Sequence, residues 1–288
     1  MEVYNKMEEK ILTQKDLETF KTWLIRKESS PATIEKYTRA VCRLMAYLSG
    51  RPLTKDLVCA FKDDLLESGL ASATVNTYIA AENAFFESMD LPDSFRIKSL
   101  KIQRKIFTER KKELTKAEYE RLVEAARKRG DERLALLFET ICATGIRVGE
   151  VKYITAGAAK KGRTSIRLKG KIRTILLPEK LCRKLKKYAA ENHIASGEIF
   201  LSKTGKPLSR KQIWADMKSV CRAAGVEPEK VFPHNLRHLF AREFYKATKD
   251  VVKLADVLGH SNISTTRIYL ISTEDEHRLA LEALRLVC

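Results

Sequence analysis

The sequence lacks the long apolar runs and paired cysteines that mark membrane and secreted proteins. No stretch of its 288 residues approaches the roughly 18 consecutive apolar residues of a membrane span. The six cysteines are scattered, with no C-x-x-C pair, which is typical of a reducing cytoplasm rather than of a disulfide-rich fold. Residues 1–10 are acidic and polar, so we expect no secretory signal there.

Motifs for nucleotide, hydrolase and zinc chemistry are also missing. The sequence has no G-x-x-x-x-G-K-[ST] loop, so ATP use is unsupported, and no G-x-S-x-G nucleophile elbow. His234 and His238 are spaced like two zinc ligands, but Asn235 stands where the H-E-x-x-H motif requires glutamate. We therefore predict no metal and no cofactor.

Positive charge is abundant and unevenly distributed. The formal net charge is +18, from 55 Lys and Arg against 37 Asp and Glu. Residues 1–92 hold 12 basic and 14 acidic residues (net −2), residues 93–112 hold 8 and 2 (net +6), and residues 113–288 hold 35 and 21 (net +14). A cationic excess that begins abruptly after residue 92 indicates a nucleic-acid partner.

Apolar periodicity predicts two domains of mainly α structure with one small sheet, an α+β fold. Helical spacing within residues 14–89 predicts a compact helical domain over 1–92. In a second domain over 113–288, β-type runs on either side of Lys169-Gly170-Lys171 predict a hairpin. Capping boxes open helices at residues 115 and 209, and the second of these is predicted to run to residue 224. A short strand is expected at 199–201, and a last helix over 274–286.

Two segments outside the second domain are candidates for phosphate contacts. Residues 93–112 show no helical stripe, so they are predicted to form an extended basic linker, lying along a phosphate backbone or simply solvated. Lys98, Lys101, Arg104 and Lys105 would make the contacts. Thr33 and Thr74 each lie at a predicted helix start within a short internal repeat, 32–37 and 73–78, where they either bind phosphate or serve as ordinary caps.

One ordered set of residues is more specific than any of these signals. It consists of 143–150 (ATGIRVGE), Lys171 on the hairpin, 234–238 (HNLRH) and 258–269 (LGHSNISTTRIY). In order and spacing this set resembles the tyrosine recombinase, or phage integrase, family, and in particular Xer-like site-specific recombinases. The resemblance implies a helical, SAM-like core-binding domain followed by a catalytic domain with a C-terminal tail helix.

The resemblance also implies the activity and the partners. Such an enzyme cleaves and rejoins double-stranded DNA at a specific site through a covalent 3′-phosphotyrosyl intermediate, to integrate or excise a mobile element or to resolve chromosome dimers. It would act in the cytoplasm, associated with the nucleoid, as a homo-tetramer on two DNA sites or paired with a second recombinase. A type IB topoisomerase-like enzyme and a non-catalytic DNA-binding protein of the same fold are the alternatives.

Within that family pattern Tyr269 is the nucleophile, and Arg147 and Arg237 hold the phosphate. Guanidinium groups suit this role because they stay charged and donate paired hydrogen bonds to phosphate oxygens. His234 would act as base or phosphate donor, and His260 as a donor to a nonbridging oxygen. Glu150 would brace the site.

The hairpin would supply the acid that protonates the departing 5′ oxygen. Lys171 is the candidate, but the stretch between it and Pro178 is one residue shorter than the family pattern, which leaves Lys169 as a competitor. Lys169 and Arg173 are also predicted DNA contacts on this basic hairpin. His238 is expected only to pack its helix. The tail helix, with Leu279, Ala283, Leu284 and Leu286 on one face, would dock on a neighbouring protomer or on its own domain.

Overall fold

A computed structural model describes residues 10–102, 112–168, 171–202, 204–269 and 274–284. The chain divides into two units, Met1–Arg104 and Lys105–Cys288, and each is described here by itself. Within the described ranges, no helix has the length and apolar character required to cross a membrane.

The first unit is a bundle of four helices closed by one short 3₁₀ turn. Each of the first three helices begins at a hydroxyl side chain, Thr13, Ser30 or Thr54, that accepts a hydrogen bond from the backbone of the first turn. Phenylalanine and aliphatic side chains from all four helices fill one core. The elements are α1 (Gln14–Arg26), α2 (Pro31–Leu48), α3 (Lys55–Glu67), α4 (Ser72–Ser88) and the 3₁₀ turn Asp93–Phe95.

The start of the predicted linker belongs to this core. Phe95 and Ile97 are buried in it. Two amide side chains on α4 pair with the backbone of the extended segment that follows: Asn83 exchanges hydrogen bonds of 2.9 and 3.0 Å with Ile97, and Asn76 exchanges bonds of 2.7 and 3.0 Å with Leu100. The prediction of an extended basic linker over 93–112 did not include these side-chain amides, which satisfy the extended backbone as a neighbouring strand would.

The second unit is mostly helical and contains a two-stranded antiparallel sheet, which confirms the predicted α+β class. Its helices are α5 (Lys116–Lys128), α6 (Glu132–Thr144), α7 (Ala156–Lys161), α8 (Glu179–Glu191), α9 (Arg210–Lys218), α10 (Cys221–Ala224), α11 (Pro233–Thr248), α12 (Val251–Leu258), α13 (Ile263–Arg267) and α14 (Glu274–Ala283). The strands are β1 (Arg163–Leu168) and β2 (Lys171–Leu176), and 3₁₀ turns lie at Val148–Tyr153 and Pro228–Lys230.

The hairpin pairs Leu168 with Lys171 next to the turn and Ile166 with Arg173 two pairs further from it. Because side chains alternate across a strand, Ile166 and Ile175 face inward, where both are buried in the core of the unit. Ile172 and Leu176 lie on the opposite face and are exposed. This alternation decides which hairpin side chains can reach the site described below.

Two local predictions in this unit were wrong. Residues 199–201 form no strand: Leu201 makes an isolated bridge with Pro207, and the neighbouring Glu198 makes one with Thr155. The helix predicted over 209–224 is broken into α9 and α10. At the break the Ser219 hydroxyl donates to the Asp216 carbonyl (2.6 Å), a local side-chain bond that competes with helical pairing.

Candidate active site

The site centres on Arg237, which α11 places in the interior of the second unit. Its side chain is only 1% exposed. The guanidinium donates from Nη1 to the Gly145 carbonyl, from Nη2 to the Leu258 carbonyl (2.9 Å) and from Nε to the hydroxyl of Tyr269 (3.3 Å). Burial lowers the pKa of Arg237, whereas the bond to Tyr269 opposes that shift. A buried cation is thus fixed by the ends of two helices.

One of its acceptors depends on a glycine. Gly145 ends α6 with a φ of +61°, in the left-handed region. A Cβ atom at this position would overlap the Phe240 ring. The close approach of α6 to α11 therefore requires glycine, and it carries the Gly145 carbonyl to Arg237.

We predict that Gly145→Ala destabilises the chain clearly more than Gly162→Ala does. Gly162 has a similar φ of +69° but open space where its Cβ would lie. The backbone penalty is about 1 kcal/mol for both variants, and the clash with Phe240 should add about 1–3 kcal/mol at Gly145. Urea unfolding followed by circular dichroism measures the difference. Equal losses for the two variants would contradict the packing argument.

Tyr269 lies just beyond α13 and is 4% exposed. Besides the bond from Arg237, its ring is surrounded by three imidazoles. His260 stacks on it at 5.7 Å between ring centroids with an interplanar angle of 10°, His238 meets it edge-on at 4.4 Å, and His234 lies at 5.8 Å. The phenol predicted to be the nucleophile and the arginine predicted to bind phosphate are therefore in contact within one chain.

The imidazoles are held neutral by burial and by nearby cations. Burial, followed by the charges of Arg237, Arg147 and Arg173, lowers the pKa of His260 to about 4. Burial, followed by His234 and Arg237, lowers the pKa of His238 to about 4, and burial and the same two arginines, Arg237 and Arg147, lower that of His234.

The tautomer of His260 follows from its hydrogen bonds. Its Nε2 lies 3.0 Å from Nη2 of Arg237, which can only donate. Nε2 must therefore accept, and Nδ1 carries the proton and donates to the Thr266 hydroxyl (2.9 Å). In this arrangement His260 accepts a hydrogen bond on the side that faces Arg237.

A second arginine site adjoins the first. The Glu150 carboxylate, with 3% of its side chain exposed, accepts from the backbone N–H of Arg147 (2.9 Å) and from the Arg147 guanidinium (3.1 Å). It also accepts from Nη1 of Arg173 at 2.8 and 3.1 Å. Nearly half of the Arg147 side chain is exposed, so this guanidinium is available to a ligand.

The structure separates the other predicted residues into three groups. Lys98, Lys101 and Thr74 are exposed, as contacts to DNA would require. The side chain of Lys171 and the whole of Lys169, Arg104 and Lys105 lie outside the described residues. Thr33 bonds to Ser30, the cap of α2, at 2.8 Å, whereas the first turn of α4 has no side-chain cap, so capping does not account for Thr74.

Two residues of this region make contacts that the sequence did not predict. His238 was expected to pack its helix, yet it contacts the ring of Tyr269; its position one turn after His234 was the available signal. Arg173 was predicted to contact DNA, but its guanidinium is directed inward to Glu150 and the Val257 carbonyl (2.8 Å). Among the described residues, no group of three or more His, Cys, Asp or Glu side chains is arranged to hold a metal ion.

Comparison with known proteins shows which family the chain belongs to. The family model described as the phage integrase family matches residues 112–276, more than half of the chain. The chain belongs to the phage integrase family. Tyrosine recombinase XerA of Thermococcus kodakarensis is 30% identical over 282 residues, covering 94% of this chain and 95% of that one. The chain is thus a Xer-like, tyrosine-type site-specific recombinase, as the motifs predicted.

Solved structures of this family share the fold. XerH bound to its palindromic difH substrate superposes with a TM-score of 0.70 at 23% identity, over 89% of this chain and 80% of that one. A lambda integrase tetramer bound to a Holliday junction gives 0.72 at 18% identity, over 93% and 80%. At these identities the superpositions show the fold alone.

Proposed function

We propose that the chain cleaves and rejoins duplex DNA at a specific site by linking Tyr269 to the 3′ phosphate of the cut strand. The contact of the Tyr269 hydroxyl with Nε of Arg237 carries this proposal. A phenol is a weak nucleophile near neutral pH, and an adjacent fixed cation binds the attacked phosphate next to the phenol oxygen.

In the proposed step one bond to phosphorus forms and one breaks, and each change is accompanied by a proton transfer. The Tyr269 oxygen forms a bond to phosphorus while its proton passes to His234, and the P–O5′ bond breaks as a hairpin lysine protonates the leaving oxygen. Arg147 and Arg237 neutralise the charge that develops on the nonbridging oxygens. Because the phosphotyrosyl bond conserves the energy of the broken linkage, the reverse of this step reseals the strand without ATP.

Phosphate binding has to make room beside Arg237. The side chain is buried, and Nε, Nη1 and Nη2 each donate to a protein acceptor. A phosphate oxygen would replace one of these acceptors or accept from the second N–H of Nη1. The same anion would raise the pKa of His260 and favour its protonated, donating form, as the proposed role of His260 requires.

We propose further contacts from both units to the same duplex. Lys98, Lys101 and Thr74 are exposed in the first unit, and the basic hairpin serves the second. Nucleoid association would follow from this binding. The working form is proposed to be a homo-tetramer on two sites or a pair with a second recombinase. In it the exposed Leu279 and Leu281 of α14 and Leu284 just after the helix dock on a neighbouring protomer.

A covalent selection tests this proposal and does not require the target sequence to be chosen in advance. The full chain is incubated with a library of nicked duplexes that carry a randomised core, so that cleavage releases a short fragment and traps the adduct. We expect an SDS-resistant adduct whose recovered DNA converges on one sequence and whose linked peptide contains Tyr269. No adduct from the library would contradict the proposal, and so would plasmid relaxation without any preferred sequence.

A further inference from the structure

We propose that Arg173 is a positioning residue that fixes the first residues of β2 against the active site. This inference rests on the proposed function. Arg173 leaves β2 on its inward face and donates from Nη1 to both oxygens of Glu150 and from Nη2 to the Val257 carbonyl at 2.8 Å. It thereby joins three pieces of chain: the hairpin, the 3₁₀ turn that follows Arg147, and the end of α12 just before His260.

Apolar burial holds part of the hairpin. Ile175, near its base, and Ile166, directly across from Arg173, are buried in the core. Closer to the turn, Ile172 is two-thirds exposed and contributes no such anchor. Among the described side chains of β2, Arg173 is the one nearest the turn that bonds to a residue outside the hairpin. Lys171, the candidate acid, lies two residues from it on the same strand.

Packing leaves Arg173 little freedom to move. Its side chain is 11% exposed, and a Cβ atom on Gly259 would overlap its Cδ. Burial lowers the pKa of Arg173 to about 10, with Glu150 acting in the opposite direction, so the group stays charged near neutral pH. Because its guanidinium is enclosed and paired in this way, Arg173 links parts of the protein to one another and does not serve as a contact to DNA.

The contacts of Arg173 should affect one chemical step, the protonation of the leaving oxygen. When the P–O5′ bond breaks, the departing oxygen takes a proton from the hairpin lysine, so the position of the first residues of β2 limits this transfer. If sulfur replaces the bridging 5′ oxygen, the P–S bond breaks and a thiolate leaves without needing that proton, because thiols are far more acidic than alcohols. Bridging 5′-phosphorothiolate DNA therefore isolates the part of a defect that arises from the acid.

The test compares Arg173→Met with wild type on matched suicide duplexes that contain oxygen or sulfur at the scissile position. We expect adduct formation on the oxygen substrate to slow by about 10²-fold and to return to within about tenfold of wild type on sulfur. Affinity for DNA should stay within about twofold. The matched control is Arg163→Met, on β1 of the same hairpin with an exposed side chain, for which the ratio of oxygen to sulfur rates should equal that of wild type.

Arg173→Lys keeps the charge, but a single ammonium group cannot bond to both Glu150 and the Val257 carbonyl as the planar guanidinium does. We therefore expect a smaller defect, which the substrate with sulfur at the scissile position should also restore. This variant decides the matter if Arg173→Met does not fold. If wild type forms no adduct, the proposed function fails; if wild type reacts and sulfur does not repair the Arg173 variants, only the positioning role fails. Weaker binding with a salt slope reduced by about one would instead make Arg173 a phosphate contact.

Discussion

Replacement of Tyr269 by phenylalanine is expected to abolish covalent attachment to DNA while leaving DNA binding intact. The substitution removes the only atom proposed to bond to phosphorus, so adduct formation should fall below about 10⁻⁴ of the wild-type rate. The ring remains, and with it the contacts to His238, His260 and Arg237. Losing the acceptor of the buried Nε–H of Arg237 should lower the free energy of unfolding by about 1–3 kcal/mol.

The matched control is Tyr245→Phe. Tyr245 packs against the same small cluster of buried side chains as Tyr269, but it lies near the end of α11, away from Arg237 in sequence. It tests whether removing a hydroxyl there is enough to disturb the site. Both variants are assayed for SDS-resistant adduct and for gel-shift affinity on the selected site. An adduct that persists in Tyr269→Phe would remove Tyr269 from the proposed role.

The order and spacing of motifs predicted that Arg237, His260 and Tyr269 belong to one site. Arg237, His260 and Tyr269 lie on α11, after α12 and after α13, and the structure brings them into contact as the family resemblance implied. Glycine punctuation helped, because Gly145 and Gly259 end the helices whose last carbonyl groups approach Arg237.

The direction of a side chain within the fold was not predictable in the same way. Arg173 and Arg163 are equally basic members of one hairpin, and only the register of the strands directs the first inward and leaves the second exposed. The pairing of Asn76 and Asn83 with extended backbone is likewise a tertiary event. Local patterns report periodicity and charge, whereas these contacts depend on which elements become neighbours.

Glu82 is a second case in which the structure departs from the local pattern. It lies on α4 in the middle of an apolar face, is 0% exposed, and neither of its carboxylate oxygens has a hydrogen-bond partner among the described residues. Burial raises its pKa to about 7. An unpaired carboxyl in a core is costly when it is ionised, so the first unit carries a stability penalty that depends on pH.

The direction of that penalty follows from linkage. The pKa of Glu82 is higher in the folded state than its ordinary value of 4.5. Between pH 4.5 and about 7 the unfolded chain releases this proton while the folded chain keeps it, so stability falls as the pH rises through that window and is level above it. At about 1.4 kcal/mol per pH unit, the penalty reaches about 3 kcal/mol.

We therefore expect Glu82→Gln to stabilise the first unit by about 3 kcal/mol at pH 8 and to have little effect near pH 4.5. The chain has two tryptophans, and Trp23 packs against the core of the first unit. In a Trp214→Phe background, the fluorescence of Trp23 during urea unfolding reports that unit within the full chain. Glu87→Gln, an exposed carboxyl on the same helix, is the control and should change stability little at either pH. A gain for Glu82→Gln that is equal at both pH values would show that ionisation of the buried carboxyl is not its cause.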